Sequence, residues 1–147
     1  RTEMYGEPFH VPPPDEVAVL TAQANQHPIE SLGSCVTLAD VTELKHAAQS
    51  IRISDELKRY IVDLVGATRS ATGVQLGASP RASLALMKAA QALALFDGQE
   101  FVTPEPIQEL AGAVIAHRLV MLPQARFSGL TARGVVEDVV KKIKVPA

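Results

Sequence analysis

The chain has 147 residues, 47% of them hydrophobic, which is enough to bury a core without disulfides or metal. Its net charge of -2 argues against a surface that binds nucleic acid or anionic lipid over its whole extent. Cys35 is the single cysteine, which excludes an internal disulfide, and we expect it to be partly buried and unreactive. The four histidines lack metal-ligand spacing, so no metal site is predicted.

The N-terminal segment RTEMYGEPFHVPPP, residues 1–14, predicts an extended arm or linker, because consecutive prolines favour polyproline geometry. A helical domain is expected over residues 15–147. No apolar run reaches the roughly 18 residues of a membrane-spanning helix, and the N-terminus lacks the apolar centre of a signal peptide. The abrupt start without Met indicates a fragment of a longer, cytoplasmic protein with no membrane insertion.

Caps and apolar periodicity predict about six helices. The first spans about residues 15–24, and the second follows Thr37, which forms a capping-box variant with Asp40. The third follows Ser54, with acids in its first turn. Its predicted buried face consists of Leu57, Ile61, Leu64, Val65 and Thr68.

The fourth predicted helix begins at Ser79 and Pro80 and carries little polar surface, so we expect it to be the central and most buried helix. Its large apolar residues are Leu84, Leu86, Leu93, Leu95 and Phe96. The fifth helix opens at Thr103, and the sixth follows Thr131. The predicted fold is all-α and multi-helical, with at most a very short strand near residues 74–76.

The sequence carries none of the motifs that mark a self-sufficient catalytic site. It has no G-x-x-x-x-G-K-[ST] phosphate loop, no G-x-G-x-x-G, no G-x-S-x-G and no H-E-x-x-H. Glu137 and Asp138 lie within an amphipathic pattern, which favours a solvated helix face over a magnesium-binding pair.

The motif GASPRA, residues 77–82, is the strongest candidate for a binding site. Ser79 as N-cap and Pro80 at the first helical position place Arg81 beside N–H groups that lack helical partners, which suits an anion such as phosphate. Residue chemistry alone favours an ordinary surface salt bridge from Arg81 to Glu56 or Glu105.

Other cations near the ends of predicted helices carry less information. Lys88 lies about 10 Å along the helix from Arg81, too far to contact the same phosphate. His117 and Arg118, like Thr68 and Arg69, stand at helix C-termini, where a cation stabilises the helix dipole without a further role.

Three segments closely resemble the C-terminal helical lid of MoxR-type AAA+ ATPases. They are YIVDLVGATR (residues 60–69), VQLGASPRASLALMKAAQALALFDGQEFVTPEPIQELAGAVIAHRL (residues 74–119) and ARFSGLTARGVVEDVV (residues 125–140). The resemblance covers about residues 51–145, roughly two thirds of the chain.

This resemblance implies that Arg81 is a second-sensor arginine, which reaches the γ-phosphate of ATP bound at the ATPase core. The resemblance transfers no other catalytic residue, and Ser79 is a nucleotide-binding candidate only through its place at the helix N-terminus. The family acts as magnesium- and ATP-dependent, chaperone-like machines that form rings, often hexameric, with partners that contain a von Willebrand factor A domain. Because this chain lacks the phosphate loop, we expect it to belong to an ATPase but to be inactive alone, with no tightly bound nucleotide.

One rival from another class is a non-enzymatic helical interaction module, or adaptor, that docks a partner on an apolar face. A helical DNA-binding domain is a weaker alternative, since the charge balance disfavours it.

Overall fold

The computed structural model describes residues 12–24 and 28–146, with Pro28 and Ser31 described by their backbone alone. The chain divides into two compact units, Arg1–Leu38 and Ala39–Ala147. In the first unit, α1 (Pro13–Gln23) takes in the last two residues of the predicted arm. Proline is tolerated in the first turn of a helix, so these residues need not extend the arm. Residues 1–11 of the arm lie outside the described residues.

The rest of the first unit is a short 3-10 helix (Pro28–Ser31) and an irregular segment, residues 32–37. Cys35 lies in this segment and is exposed, so the expectation of a partly buried cysteine was wrong. The reason is local: every side chain described in this unit is exposed, and none of them forms a core that a cysteine could enter.

The second unit contains six α-helices and one short 3-10 helix, Ala116–Arg118, among its described residues. The α-helices are α2 (Leu38–Ser50), α3 (Asp55–Ala67), α4 (Pro80–Phe96), α5 (Pro104–Ile115), α6 (Pro123–Phe127) and α7 (Ala132–Lys142). The predicted starts after Thr37, Ser54, Ser79, Thr103 and Thr131 are confirmed. Helix α6 was not predicted, because five residues are too few to show helical periodicity. The mainly helical fold class is confirmed.

A two-stranded antiparallel sheet joins β1 (Val74–Leu76) to β2 (Val120–Met121), and β1 is the short strand that the sequence predicted. Gly73 precedes β1 with φ of +80°, a conformation that favours glycine. Its carbonyl oxygen accepts a hydrogen bond from the Leu122 N–H at 2.9 Å. This contact holds the segment after β2 against the turn that leads into β1.

Helix α5, not α4 as expected, is central, because it packs against α3, α4 and α7, whereas α4 packs chiefly against α3 and α5. The expectation that α4 is the most buried helix was wrong, since α3 buries five of 13 residues and α4 five of 17. Leu84 and Phe96 are 56% and 79% exposed. The buried side of α4 is instead a narrow stripe at every fourth position, made of Ala82, Leu86, Ala90 and Ala94. Small alanines let the neighbouring helices approach α4 closely.

The connection between α2 and α3 is bonded to the loop between α4 and α5. Gln91 Nε2 donates to the Ile51 carbonyl oxygen at 2.8 Å. The Arg52 N–H donates to the Glu100 carbonyl, and the Val102 N–H donates to the Arg52 carbonyl at 2.8 Å. These hydrogen bonds hold the stretch before α3 against α4 and the loop that follows it, and Ile51 is its buried residue. None of the helices within residues 12–24 and 28–146 is long and apolar enough to cross a membrane.

Candidate functional site

The candidate site is built on the turn formed by residues 77–79, which connects β1 to α4. Ser79 occupies the N-cap position of α4 with extended backbone angles, φ -86° and ψ 168°. Pro80 is the first helical residue, where its fixed φ suits the helix and its missing N–H costs nothing. Arg81 is therefore the second residue of the helix, as the sequence predicted.

Arg81 is exposed and makes no ion pair with any residue in the described part of the chain. No ion pair in the described part of the chain joins Arg81 to Glu56 or Glu105, and each of these acids accepts hydrogen bonds at the start of its own helix. The pKa of Glu56 is lowered by hydrogen bonds from its own backbone N–H and from Ser54. The pKa of Glu105 is lowered by hydrogen bonds from Thr103 and from its own N–H. The surface salt bridge favoured by residue chemistry alone is thus absent from this fold.

The Ser79 hydroxyl, like that of Thr103 at the start of α5, accepts no hydrogen bond from the first turn of its helix. Ser54 caps α3 by accepting from the Leu57 N–H at 3.2 Å, and Thr131 caps α7 by accepting from the Gly134 N–H at 3.0 Å. The first turn of α4 therefore lacks a side-chain cap. Its positive dipole end and the cationic residue Arg81 lie at the same end of the helix, an arrangement that suits an anion.

The turn is held in place by Thr68 and Arg69, which we call the Ala78 clamp. The Thr68 hydroxyl donates to the Val65 carbonyl at 2.6 Å and accepts from the Ala78 N–H at 3.0 Å. Arg69 Nε donates to the Ala78 carbonyl at 3.2 Å. Both backbone groups of Ala78 are thus bonded to the end of α3.

Sequence reasoning missed this clamp, because it assigned Thr68 and Arg69 to the dipole at the C-terminus of α3. The available signal was the position of Thr68 at the end of an apolar stripe. Thr68 is 0% exposed, and Thr68 and Gln91 are the two buried polar residues in the described part of the chain. A polar group on a buried face needs a hydrogen-bond partner, and here the partner is Ala78.

Gly77 is required by the close approach of this turn to Arg69. A Cβ added at residue 77 would lie 2.6 Å from the Arg69 Cα and 2.7 Å from its backbone nitrogen. Ala78 and Ala82, which follow Gly77 in the motif, are 1% and 0% exposed, so the motif also needs small residues there. Within GASPRA, the fold therefore requires the small residues for packing. It does not require the polar side chains, above all that of Arg81.

The remaining candidates have structural explanations. His117 Nδ1 lies 3.1 Å from the Ala113 carbonyl, and Arg118 Nε donates to the Val114 carbonyl at 2.9 Å, so both bond the end of α5 as expected. Lys88, Glu137 and Asp138 are exposed. Among residues 12–24 and 28–146, no three His, Cys, Asp or Glu side chains come together as metal ligands do.

The model of one protein family, described as the AAA lid domain, matches residues 66–139, which include the clamp, the turn and Arg81. The chain belongs to the AAA lid domain family. The match begins at the last turn of α3 and ends in α7, and it therefore includes α4, α5 and α6 in full.

Curated relatives place this AAA lid with MoxR-type ATPases. It is 42% identical to the uncharacterized protein YeaC of Bacillus subtilis over 132 residues, which are 90% of this chain and 41% of that protein. It is 31% identical to Chaperone MoxR1 of Mycobacterium tuberculosis over 76% of this chain and 32% of that protein. A third relative, Protein MoxR of Paracoccus denitrificans, is 32% identical over 48% of this chain and 24% of its own length.

A solved structure from Cytophaga hutchinsonii, described as that of a candidate ATPase, has a similar fold. Its TM-score is 0.78 at 28% identity, and the match covers 95% of this chain and 45% of that one. The lid therefore spans less than half the length of the relatives and of the structure that it matches.

Proposed function

We propose that this chain is the lid of a MoxR-like AAA+ ATPase and that Arg81 is its second-sensor arginine, which contacts the γ-phosphate of ATP bound at the core. The observation that carries the proposal is the state of Arg81: it is exposed and unpaired among the described residues, on an uncapped helix N-terminus that the fold holds rigidly. Membership of the AAA lid family favours this function over the adaptor or DNA-binding alternatives.

The residues of this chain fit the phosphate end of ATP. The Arg81 guanidinium presents forked donors that match phosphate oxygens, and the first turn of α4 adds N–H groups and a positive dipole end. Ser79, with its exposed and unbonded hydroxyl, lies beside the same turn. Bound ATP would supply the γ-phosphoryl group for transfer, and Arg81 would neutralise negative charge spread over its oxygens.

The described residues do not fit the magnesium ion that accompanies ATP, because they contain no cluster of acidic or histidine ligands. The phosphate loop and metal ligands would belong to the ATPase core. The lid alone is thus expected to hydrolyse no ATP and to bind nucleotide weakly, with the segment before α1 as its connection to the core.

We further propose the family's wider assembly for the full-length protein. The lid contacts its own core and neighbouring subunits of a ring, with a hexamer as the expected size. Rigid-body rotation of the lid would transmit the nucleotide state to the next subunit. A chaperone-like remodelling activity, with a partner that contains a von Willebrand factor A domain, follows from the same resemblance.

The test is the Arg81→Ala substitution in a full-length protein that carries this lid. Removing one donor to a charged transition state lowers kcat by about 10²–10³-fold in enzymes that depend on it. Lys88→Ala is the matched control, since Lys88 is exposed on the same helix and is not expected to reach the phosphate. Unchanged ATP turnover by the Arg81→Ala protein would exclude the second-sensor role.

A further inference from the structure

Thr68 and Arg69, which form the clamp, both bond to Ala78 in the turn. Capping the end of α3 would not require these bonds. An arginine at the C-terminus of α3 stabilises the dipole from any position near the last carbonyls. Arg118 does this within its own helix, by donating to a carbonyl four residues earlier. Arg69 instead donates to Ala78, nine residues later and outside its helix. Its hydrogen bond therefore fixes the turn rather than the helix that carries it.

Thr68 makes the complementary bond from inside the core. Its hydroxyl is buried and is engaged on both sides, with Val65 as acceptor and the Ala78 N–H as donor. Because the Val65 carbonyl lies within α3, Ala78 is linked through one hydroxyl to the helix backbone. Together the two bonds satisfy both backbone groups of Ala78 and leave that residue no freedom to rotate.

Steric contact provides a third constraint on the same turn. The backbone at Gly77 lies so close to the Arg69 backbone that a Cβ would overlap it. Ala82, one helical turn beyond Ala78, is fully buried against the core. Arg81 lies between these two fixed points, so the backbone that carries its side chain is held from both directions.

We propose that Thr68 and Arg69 are positioning residues for Arg81. By holding Ala78, the clamp fixes the point at which α4 begins and thereby the place from which the Arg81 guanidinium reaches the phosphate. This positioning role rests on the proposed function of Arg81, and neither Thr68 nor Arg69 is proposed to contact the nucleotide. A displacement of about 1 Å at a group that stabilises a transition state can lower the rate by about 10²-fold, so a small shift of the turn matters.

The experiment measures ATP turnover in the full-length protein for Arg69→Ala and Thr68→Val. We expect each to lower kcat by about 10- to 100-fold with KM for ATP unchanged, since the clamp acts on the transition-state contact. Thr68→Ser keeps the hydroxyl and should retain the wild-type kcat. Arg118→Ala is the matched control, because it removes a similar exposed arginine bond at the end of another helix.

A double-mutant comparison separates positioning from general loss of structure. In an Arg81→Ala background, Arg69→Ala should cause no further fall in kcat, because the contact that it positions is already gone. A further fall of the same size as in the wild-type background would show that Arg69 acts independently of Arg81 and would overturn the proposal. Thermal unfolding of every variant identifies a protein that is inactive because it is unfolded, and Arg69 is exposed enough for its substitution to leave the fold intact.

The outcomes also distinguish the two proposals. If Arg81→Ala lowers kcat but folded Arg69→Ala and Thr68→Val proteins keep the wild-type value, the clamp has no positioning role and the second-sensor assignment stands. If Arg81→Ala itself has wild-type kcat, both proposals fail. If both single substitutions lower kcat and Thr68→Ser does not, with no further loss in the Arg81→Ala background, the clamp positions Arg81.

Discussion

The alanine-lined stripe of α4 makes a sharp prediction about two leucines on the same helix. Leu86 lies in the stripe and is 0% exposed, whereas Leu84 is 56% exposed. Leu86→Ala removes buried apolar atoms and leaves a cavity among closely packed helices, which typically costs about 2–5 kcal/mol. Leu84→Ala removes atoms that already contact water, and such surface changes stay within about 0.5 kcal/mol.

The assay is urea unfolding of the 147-residue chain, followed by far-UV circular dichroism. With an m-value of about 2 kcal/mol/M, the Leu86→Ala loss corresponds to a midpoint lower by about 1–2.5 M, while the Leu84→Ala midpoint should stay within about 0.3 M of the wild type. The two proteins form a matched pair, since the same atoms are removed from the same helix two positions apart. Equal losses, or a greater loss for Leu84→Ala, would refute the assignment of the buried side of α4.

Two further predictions concern helix ends. Thr131→Ala should destabilise the chain by about 1 kcal/mol, because the Thr131 hydroxyl accepts a hydrogen bond from the Gly134 N–H. Ser79→Ala should change the stability little, because the Ser79 hydroxyl accepts no such bond. Thermal unfolding compares the two variants, and a greater loss of stability for Ser79→Ala would contradict the geometry. Hydrogen bonds lower the folded-state pKa values of Asp55 (from Lys58), Glu56 and Glu105 below their ordinary 3.8, 4.5 and 4.5. The stabilisation from these carboxylates is therefore present above their unfolded-state pKa values and is lost as the pH falls through their folded-state pKa values. The unfolding temperature should accordingly fall between about pH 5 and about pH 3. The double substitution Glu56→Gln with Glu105→Gln should make that fall smaller.

Much of the helical framework could be predicted because its signals are local. Ser54 and Thr131 accept hydrogen bonds from N–H groups in the first turns of their own helices, so a few neighbouring residues are enough to predict where α3 and α7 begin. The periodic stripe of α3 likewise gave its buried face. β2 and α6 were missed because two and five residues carry no such period, and they form through pairing with β1 and contact with the rest of the fold.

The candidate site also has one part that local sequence predicts and another that depends on the fold. Residue order alone placed Arg81 in the first turn of α4, because Ser79 and Pro80 mark a helix start wherever they are found. It could not decide between a salt bridge and an anion site, since that depends on which acids lie nearby and whether they are already bonded. The structure shows no ion pair of Arg81 with any described residue, and the anion site stays a prediction.

The sequence by itself thus determined which residues begin each main helix, that β1 is extended, and that GASPRA presents a cation at a helix N-terminus. Those properties depend on backbone preferences and on hydrogen bonds within a few residues. Only the tertiary structure decided that α4 buries its alanines and exposes Leu84, and that Thr68 and Arg69 hold Ala78. These contacts join residues of different elements, and their geometry exists only once α3 and α4 pack together.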